Sequence, residues 1–125
     1  MTDMSKTVLI VDDSPSVRQL VNITLASVGY SVVEACDGRD ALSKLNGNKI
    51  HLIICDINMP NMDGLTFVNE IKKLPAHKFI PIIMLTSHSG EKEKQAGRAA
   101  GVKVWMVKPF APDQLTDLVS RFVMH

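Results

Sequence analysis

The chain has 125 residues, 46% of them hydrophobic and 22% charged, with a formal net charge of +1; this fits one folded domain and excludes a disordered or fibrous chain. Its basic residues form no run, so the clustered phosphate-neutralising side chains that nucleic-acid binding needs are missing. Apolar runs are strand-length, too short to span a membrane, the N-terminal residues lack the apolar core of a signal peptide, and Cys36 and Cys55, without metal-ligand spacing, read as reduced fillers of a cytoplasmic protein.

Strand and helix signals alternate along the chain. Residues 8–11 are continuously apolar and run straight into Asp12 and Asp13. Ser14 then offers an N-cap and Pro15 a first helical position, for a helix whose apolar face carries Val17, Leu20, Val21, Thr24, Leu25 and Val28. Gly29 is its stop signal. A second strand at 31–35 begins with Ser31 and holds Glu34, and a helix from about Asp37-Gly38 should bury Ala41, Leu42 and Leu45. The third strand, 52–55, ends abruptly on Asp56. A loop closed by Met59-Pro60 and Asp63-Gly64 leads to a third helix with Leu65, Val68, Ile71 and Leu74 inward. A fourth strand at 82–85 reaches Thr86-Ser87. The fourth helix, 91–100, has only Ala for an apolar face. The fifth strand, 102–107, mixes polar and apolar residues and ends at Lys108-Pro109. The last helix starts at Pro112 behind Ala111, a poor cap, and stacks Leu115, Leu118, Val119 and Phe122. Residues 1–125 read as one domain, with 1–6 a loose tail.

Five strand–helix units in a row predict an α/β fold with a doubly wound parallel sheet. The first, third and fourth strands are apolar throughout, as strands covered on both faces should be. The second and fifth therefore belong at the edges, giving the flavodoxin-like order 2-1-3-4-5. Ligands of such sheets bind at the carboxyl ends of the strands, where the order reverses. Asp12, Asp13 and Asp56 should converge there, joined by Thr86 and Lys108. Alone, each is an ordinary turn former, cap or solvated charge; together at four strand ends they form a pocket. Three like charges need compensation. Lys108 supplies one positive charge, and a divalent cation with oxygen ligands supplies the rest. Few carboxylates and open positions suit Mg²⁺, beside which a nucleophilic carboxylate suits phosphoryl transfer.

Asp12-Asp13, Asp56-x-x-Met59-Pro60-x-x-Asp63-Gly64, Thr86-Ser87 and Lys108-Pro109-Phe110, in this order and spacing, resemble the receiver domain of two-component response regulators across essentially the whole chain. CheY, a member, has the 2-1-3-4-5 sheet, so that order belongs to the resemblance as well as to strand composition. The resemblance implies that Asp56 accepts a phosphoryl group from a kinase histidine. Asp13, Asp56 and the backbone carbonyl of Asn58 would bind Mg²⁺, with Asp12 holding a metal-bound water. Thr86 would hydrogen-bond the phosphoryl group and Lys108 would pair with its oxygens. Asn58 and His88, two residues beyond Asp56 and Thr86, would tune hydrolysis. Gly64 would supply a backbone conformation that other residues resist, and Lys108-Pro109 would be a cis peptide. Thr86 and an aromatic three residues before Lys108 would form the switch; that position, Tyr or Phe in most receivers, is here Trp105. An edge-strand aromatic that merely packs on the fourth helix is the plainer reading of Trp105.

The stretch from Val8 to Leu45 looks most like CheY-type chemotaxis regulators. For this chain that implies a monomeric switch, not an enzyme. Its output would be a partner, the flagellar motor switch, bound on the face of helix 4, strand 5 and helix 5, with a phosphatase as a further partner. A non-chemotactic receiver in a phosphorelay is the alternative. A metal-dependent phosphohydrolase of the haloacid dehalogenase type also uses an Asp nucleophile, but needs a second acid two residues on; Asn58 follows Asp56 there and Ser14 follows Asp12. An FMN binder needs a Gly- and hydroxyl-rich loop where this chain has two acids.

Overall fold

A computed structural model describes residues 6–86, 91–102 and 104–123. Ten elements alternate strictly: β1 (Thr7–Val11), α1 (Pro15–Ala26), β2 (Ser31–Ala35), α2 (Gly38–Leu45), β3 (Leu52–Asp56), α3 (Gly64–Lys72), β4 (Ile82–Thr86), α4 (Glu91–Ala99), β5 (Val104–Val107) and α5 (Pro112–Phe122). The sheet is parallel, in the order β2-β1-β3-β4-β5. Every residue of β3 and β4 is buried, whereas β2 and β5 are partly open. The two polar-containing strands are the edges, as their composition requires.

Strand alternation divides the core into two layers. Leu9, Ile53, Cys55 and Met84 face a cluster completed by Ala41, Leu45, Phe67, Val68 and Ile71 of α2 and α3. Val8, Ile10, Ile54, Ile83 and Leu85 face Val21, Leu25, Leu115 and Val119 of α1 and α5. The helix caps follow the sequence. Ser14 Oγ accepts from Val17 N (3.3 Å), Asp37 Oδ1 from Asp40 N (2.8 Å) and Asp63 Oδ1 from Thr66 N (2.8 Å), while Ala111 caps nothing with its side chain.

Three expected core positions are exposed. Leu20 lies at the margin of the α1 stripe, 42% exposed, because Val21 and Leu25 take its centre. Val28 and Leu74 lie beyond the ends of α1 and α3, where the helical phase no longer points them inward. Phe67, which the expected stripe left out, is fully buried beside Val68 and Ile71. Strand ends also shift. Asp56 and Thr86 are still in the ladder, paired with Leu85 and Val107, so β3 and β4 carry their polar residues as rigid strand termini. Val102 is not in β5. Its N–H closes α4 on the Gly97 carbonyl (2.8 Å), beside Gly101 N to Arg98 O (3.0 Å) with Gly101 at φ +96°, a Schellman closure. Of the tail expected at 1–6, only Lys6 is described; its carbonyl accepts from Ser31 N (2.9 Å).

Candidate functional site

Asp12 is the first residue beyond β1 and is completely buried. Its N–H still bonds to Ala35 O of β2 (3.1 Å), its Oδ1 accepts from Ser14 N (2.9 Å), and its own carbonyl accepts from Arg18 Nη1 (2.7 Å). Arg18 is held in turn by Glu34 (Nε to Oε1, 3.3 Å), and Asn22 Nδ2 donates to Glu34 Oε2 (2.8 Å). The acid that marks β2 as an edge strand thus anchors the arginine that fixes Asp12. Nothing in the local pattern announces this role for Arg18; it follows only from the pairing of β2 with β1.

The three acids do converge. Ligand oxygens of Asp12, Asp13 and Asp56 lie within 4.8 Å of one another, with Asp12 and Asp56 buried and Asp13 open to solvent at the rim. Lys108, at the end of β5, reaches across the top of the sheet, its Nζ 2.9 Å from Asp12 Oδ2 and 3.4 Å from Asp56 Oδ2. Among the described residues, Lys108 is the one partner of the buried Asp12 Oδ2. Burial pushes the Asp56 carboxyl above its ordinary pKa, the charge of Asp12 adds to this, and Lys108 opposes it. Burial alone would lower the pKa of Lys108, but the two carboxylates more than reverse that and hold the ammonium protonated. Thr86, fully buried, ends β4 next to β5, and its carbonyl accepts from Lys108 N (2.8 Å). The Lys108–Pro109 peptide is cis. His88 and Ser87 lie outside the described residues.

The loop from Ile57 to Asp63 is pinned at both ends. Gly64 begins α3 with its N–H on Ile57 O (2.9 Å). A β-carbon there would overlap the carbonyl oxygen of Asp56 and lie 2.9 Å from Ile57 Cα. Gly64 is therefore required for close approach and not, as expected, for an unusual backbone conformation. That conformation belongs to Asn61, at φ 67°. Asn61 Nδ2 donates to Asp37 Oδ2 (2.8 Å), and Met62 fills the space that a side chain at Gly38 would occupy. The α2 N-terminus thus fixes the loop carrying Asn58, whose backbone N–H favours the charged form of the Asp56 carboxylate.

Trp105 faces the α2–α3–α4 layer from β5, paired with Met84 and two residues short, along the sheet, of the Thr86 pairing. It packs on α4, where Gly97 leaves it room. Its Nε1 is buried with no acceptor among the described residues, a donor that costs about 1–3 kcal/mol when left unmade.

The donor set fits a hard divalent cation. Among the described residues, three carboxylates meet one ammonium, every candidate ligand is oxygen, and the buried Asp12 Oδ2 has no partner but that ammonium. Asp13 and Asp56, with the Asn58 carbonyl, would hold Mg²⁺, which keeps several waters in so open a site.

Comparison with known proteins agrees with this geometry. The family model described as the response regulator receiver domain matches residues 8–120. The chain is 40% identical to the chemotaxis protein CheY1 of Helicobacter pylori over 111 residues, covering 87% of this chain and 90% of that protein. It is 36% identical to protein PilG of Pseudomonas aeruginosa over 116 residues, 93% of this chain and 86% of that one. The structure of the chemotaxis response regulator CheY4 of Vibrio cholerae superposes with a TM-score of 0.91 at 43% identity, covering 96% of this chain and all of the other.

Proposed function

The chain belongs to the response regulator receiver domain family, a family of signalling domains, and from that premise we propose that Asp56 is its phosphoacceptor in two-component signalling. The observation that carries the reading is Lys108, bridging Asp12 and Asp56 at the switch in strand order. A histidine kinase is the phosphoryl donor. An Asp56 oxygen attacks phosphorus in line, the P–N bond to the kinase imidazole breaks, and the leaving nitrogen keeps the electron pair, which a proton then neutralises. Lys108 follows the charge as it moves onto the phosphoryl oxygens, and the Thr86 hydroxyl, brought there by β4, donates to one of them. Bound Mg²⁺ supplies neutralisation of the charge shared by carboxylates and phosphoryl group. Water later attacks phosphorus and frees Asp56, at a rate set by Asn58 and His88.

Output is protein binding on the α4–β5–α5 face, in chemotaxis, with the flagellar motor switch as partner and with a phosphatase to reset the signal. Two of the relatives above are chemotaxis proteins, and this favours chemotaxis over a phosphorelay, which would use the same site with a different partner. The reading is of a monomeric cytoplasmic switch. Both cysteines are free, and no described helix is long and apolar enough to cross a membrane. Incubation with a kinase domain carrying radiolabelled phosphohistidine tests the assignment. Label should move to this chain and not to Asp56→Asn; label on the variant at the wild-type rate would refute it.

A further inference from the structure

We propose that Gly97 is the positioning residue for Trp105: α4 omits a side chain at this one place so that the indole seats on the helix, and the seat ties movement of Trp105 to the position of α4. The inference rests on the reading of Trp105 as the aromatic of the receiver switch.

Val104 and Met106 point to the α1–α5 layer, so alternation puts Trp105 on the α4 side of β5. A β-carbon at Gly97 would overlap Trp105 Cζ2 and lie 2.9 Å from Cη2 and 3.2 Å from Cε2. The six-membered ring of the indole thus occupies the volume that any other residue at 97 would claim. Glycine weakens a helix interior relative to alanine, and Gly97 does not have the positive φ that would call for it, unlike Gly29, Gly47 and Gly101. Space for the indole is what remains to explain it. The same residue closes the helix, since the Gly97 carbonyl accepts from Val102 N, two residues before β5 begins. A shift of α4 at residue 97 is therefore felt at both the indole and the entry to its strand. The seat holds Trp105 by shape alone, because Nε1 has no acceptor among the described residues. An alternative position near Thr86 that offers an acceptor competes with it directly.

Trp105 is the chain's single tryptophan, so its fluorescence reports the seat without interference. Gly97→Ala should expel the indole in the unphosphorylated, metal-free protein, raising acrylamide quenching and lowering Tm. In a Trp105→Phe background the shorter ring does not reach the helix, and Gly97→Ala should leave Tm unchanged or raise it, as the better helix former. An equal loss in both backgrounds, or unchanged quenching, would overturn the seat. If Gly97→Ala does not fold, the double variant decides: folded supports the seat, unfolded rejects it. With Mg²⁺ and an acyl phosphate, wild-type quenching should fall below its metal-free value, as the indole leaves the seat for the buried position near Thr86. Phosphorylation without such a fall would refute the coupling. Failure to phosphorylate at all would count against the receiver reading and leave the result of the mutant cycle standing.

Discussion

At Asp56 the requirements of chemistry and of stability oppose each other. A carboxylate 5% exposed, with Asp12 beside it, resists ionisation, and Lys108, with a smaller contribution from the Asn58 backbone N–H, offsets this only in part. Replacing it with the neutral isostere should therefore stabilise the metal-free fold at neutral pH, by about 1–3 kcal/mol for a buried charge only partly compensated. Urea unfolding of Asp56→Asn with a chelator present checks this, and a loss of stability would show that the Lys108 pair outweighs burial. Asp13 is different. It sits at the solvent-exposed rim, so Asp13→Asn should change metal-free stability by no more than about 0.5 kcal/mol. It should nevertheless abolish the rise in Tm that Mg²⁺ gives the wild type. A retained rise would remove Asp13 from the ligand set. Histidine is the side chain whose charge changes near neutrality. His88→Ala should flatten the pH profile of dephosphorylation between about pH 6 and 8, and a profile that keeps its shape would exclude a role in hydrolysis.

Between elements, the α2 N-cap and the β3–α3 loop share one carboxylate. The pKa of Asp37 is lowered, first by the Asp40 backbone N–H and then by Asn61. Since the folded pKa lies below the unfolded value of 3.8, the stabilisation is fully present above that value and is lost as pH falls through the folded pKa. Asp37→Ala should cost about 1 kcal/mol at neutral pH, as a lost cap does, and the gap to the wild type should narrow in acid. A gap that does not change with pH would mean that the carboxylate charge is irrelevant. Gly64→Ala should destabilise by about 1–3 kcal/mol, the range for overpacking, because its β-carbon meets backbone that cannot step aside. Both elements of this junction show what one sequence conveys. Asp37, Asp63 and Gly64 are legible as helix starts, since caps depend on residues three apart. The Asn61–Asp37 bond joins residues 24 apart in the chain, and no local pattern encodes it. Val28 and Leu74 mislead for a related reason: periodicity gives the phase of a helix but not its last residue, whereas Leu20 misleads because it lies at the margin of its stripe.

Over the whole molecule, strand composition carries the topology. Apolar β1, β3 and β4 must be covered on both faces, Ser31 and Glu34 put β2 at an edge, and the resulting order brings Asp12, Asp56 and Lys108 to one end of the sheet. The candidate site is legible because its residues end strands, where a short motif and the order of the sheet suffice to place them. The supports of the site are not. Arg18 and Glu34 meet only through the β1–β2 pairing, and Gly97 serves Trp105 only because α4 packs over β5. The central claim is that this arrangement exists to phosphorylate one carboxylate with the help of Mg²⁺. Intact-mass spectrometry after incubation with an acyl phosphate tests it most directly. The wild type should gain a single phosphoryl group with Mg²⁺ present and none with a chelator, while Asp56→Asn should gain none in either condition. A phosphoryl group on Asp56→Asn at wild-type yield, or on the wild type without the metal, would contradict the account.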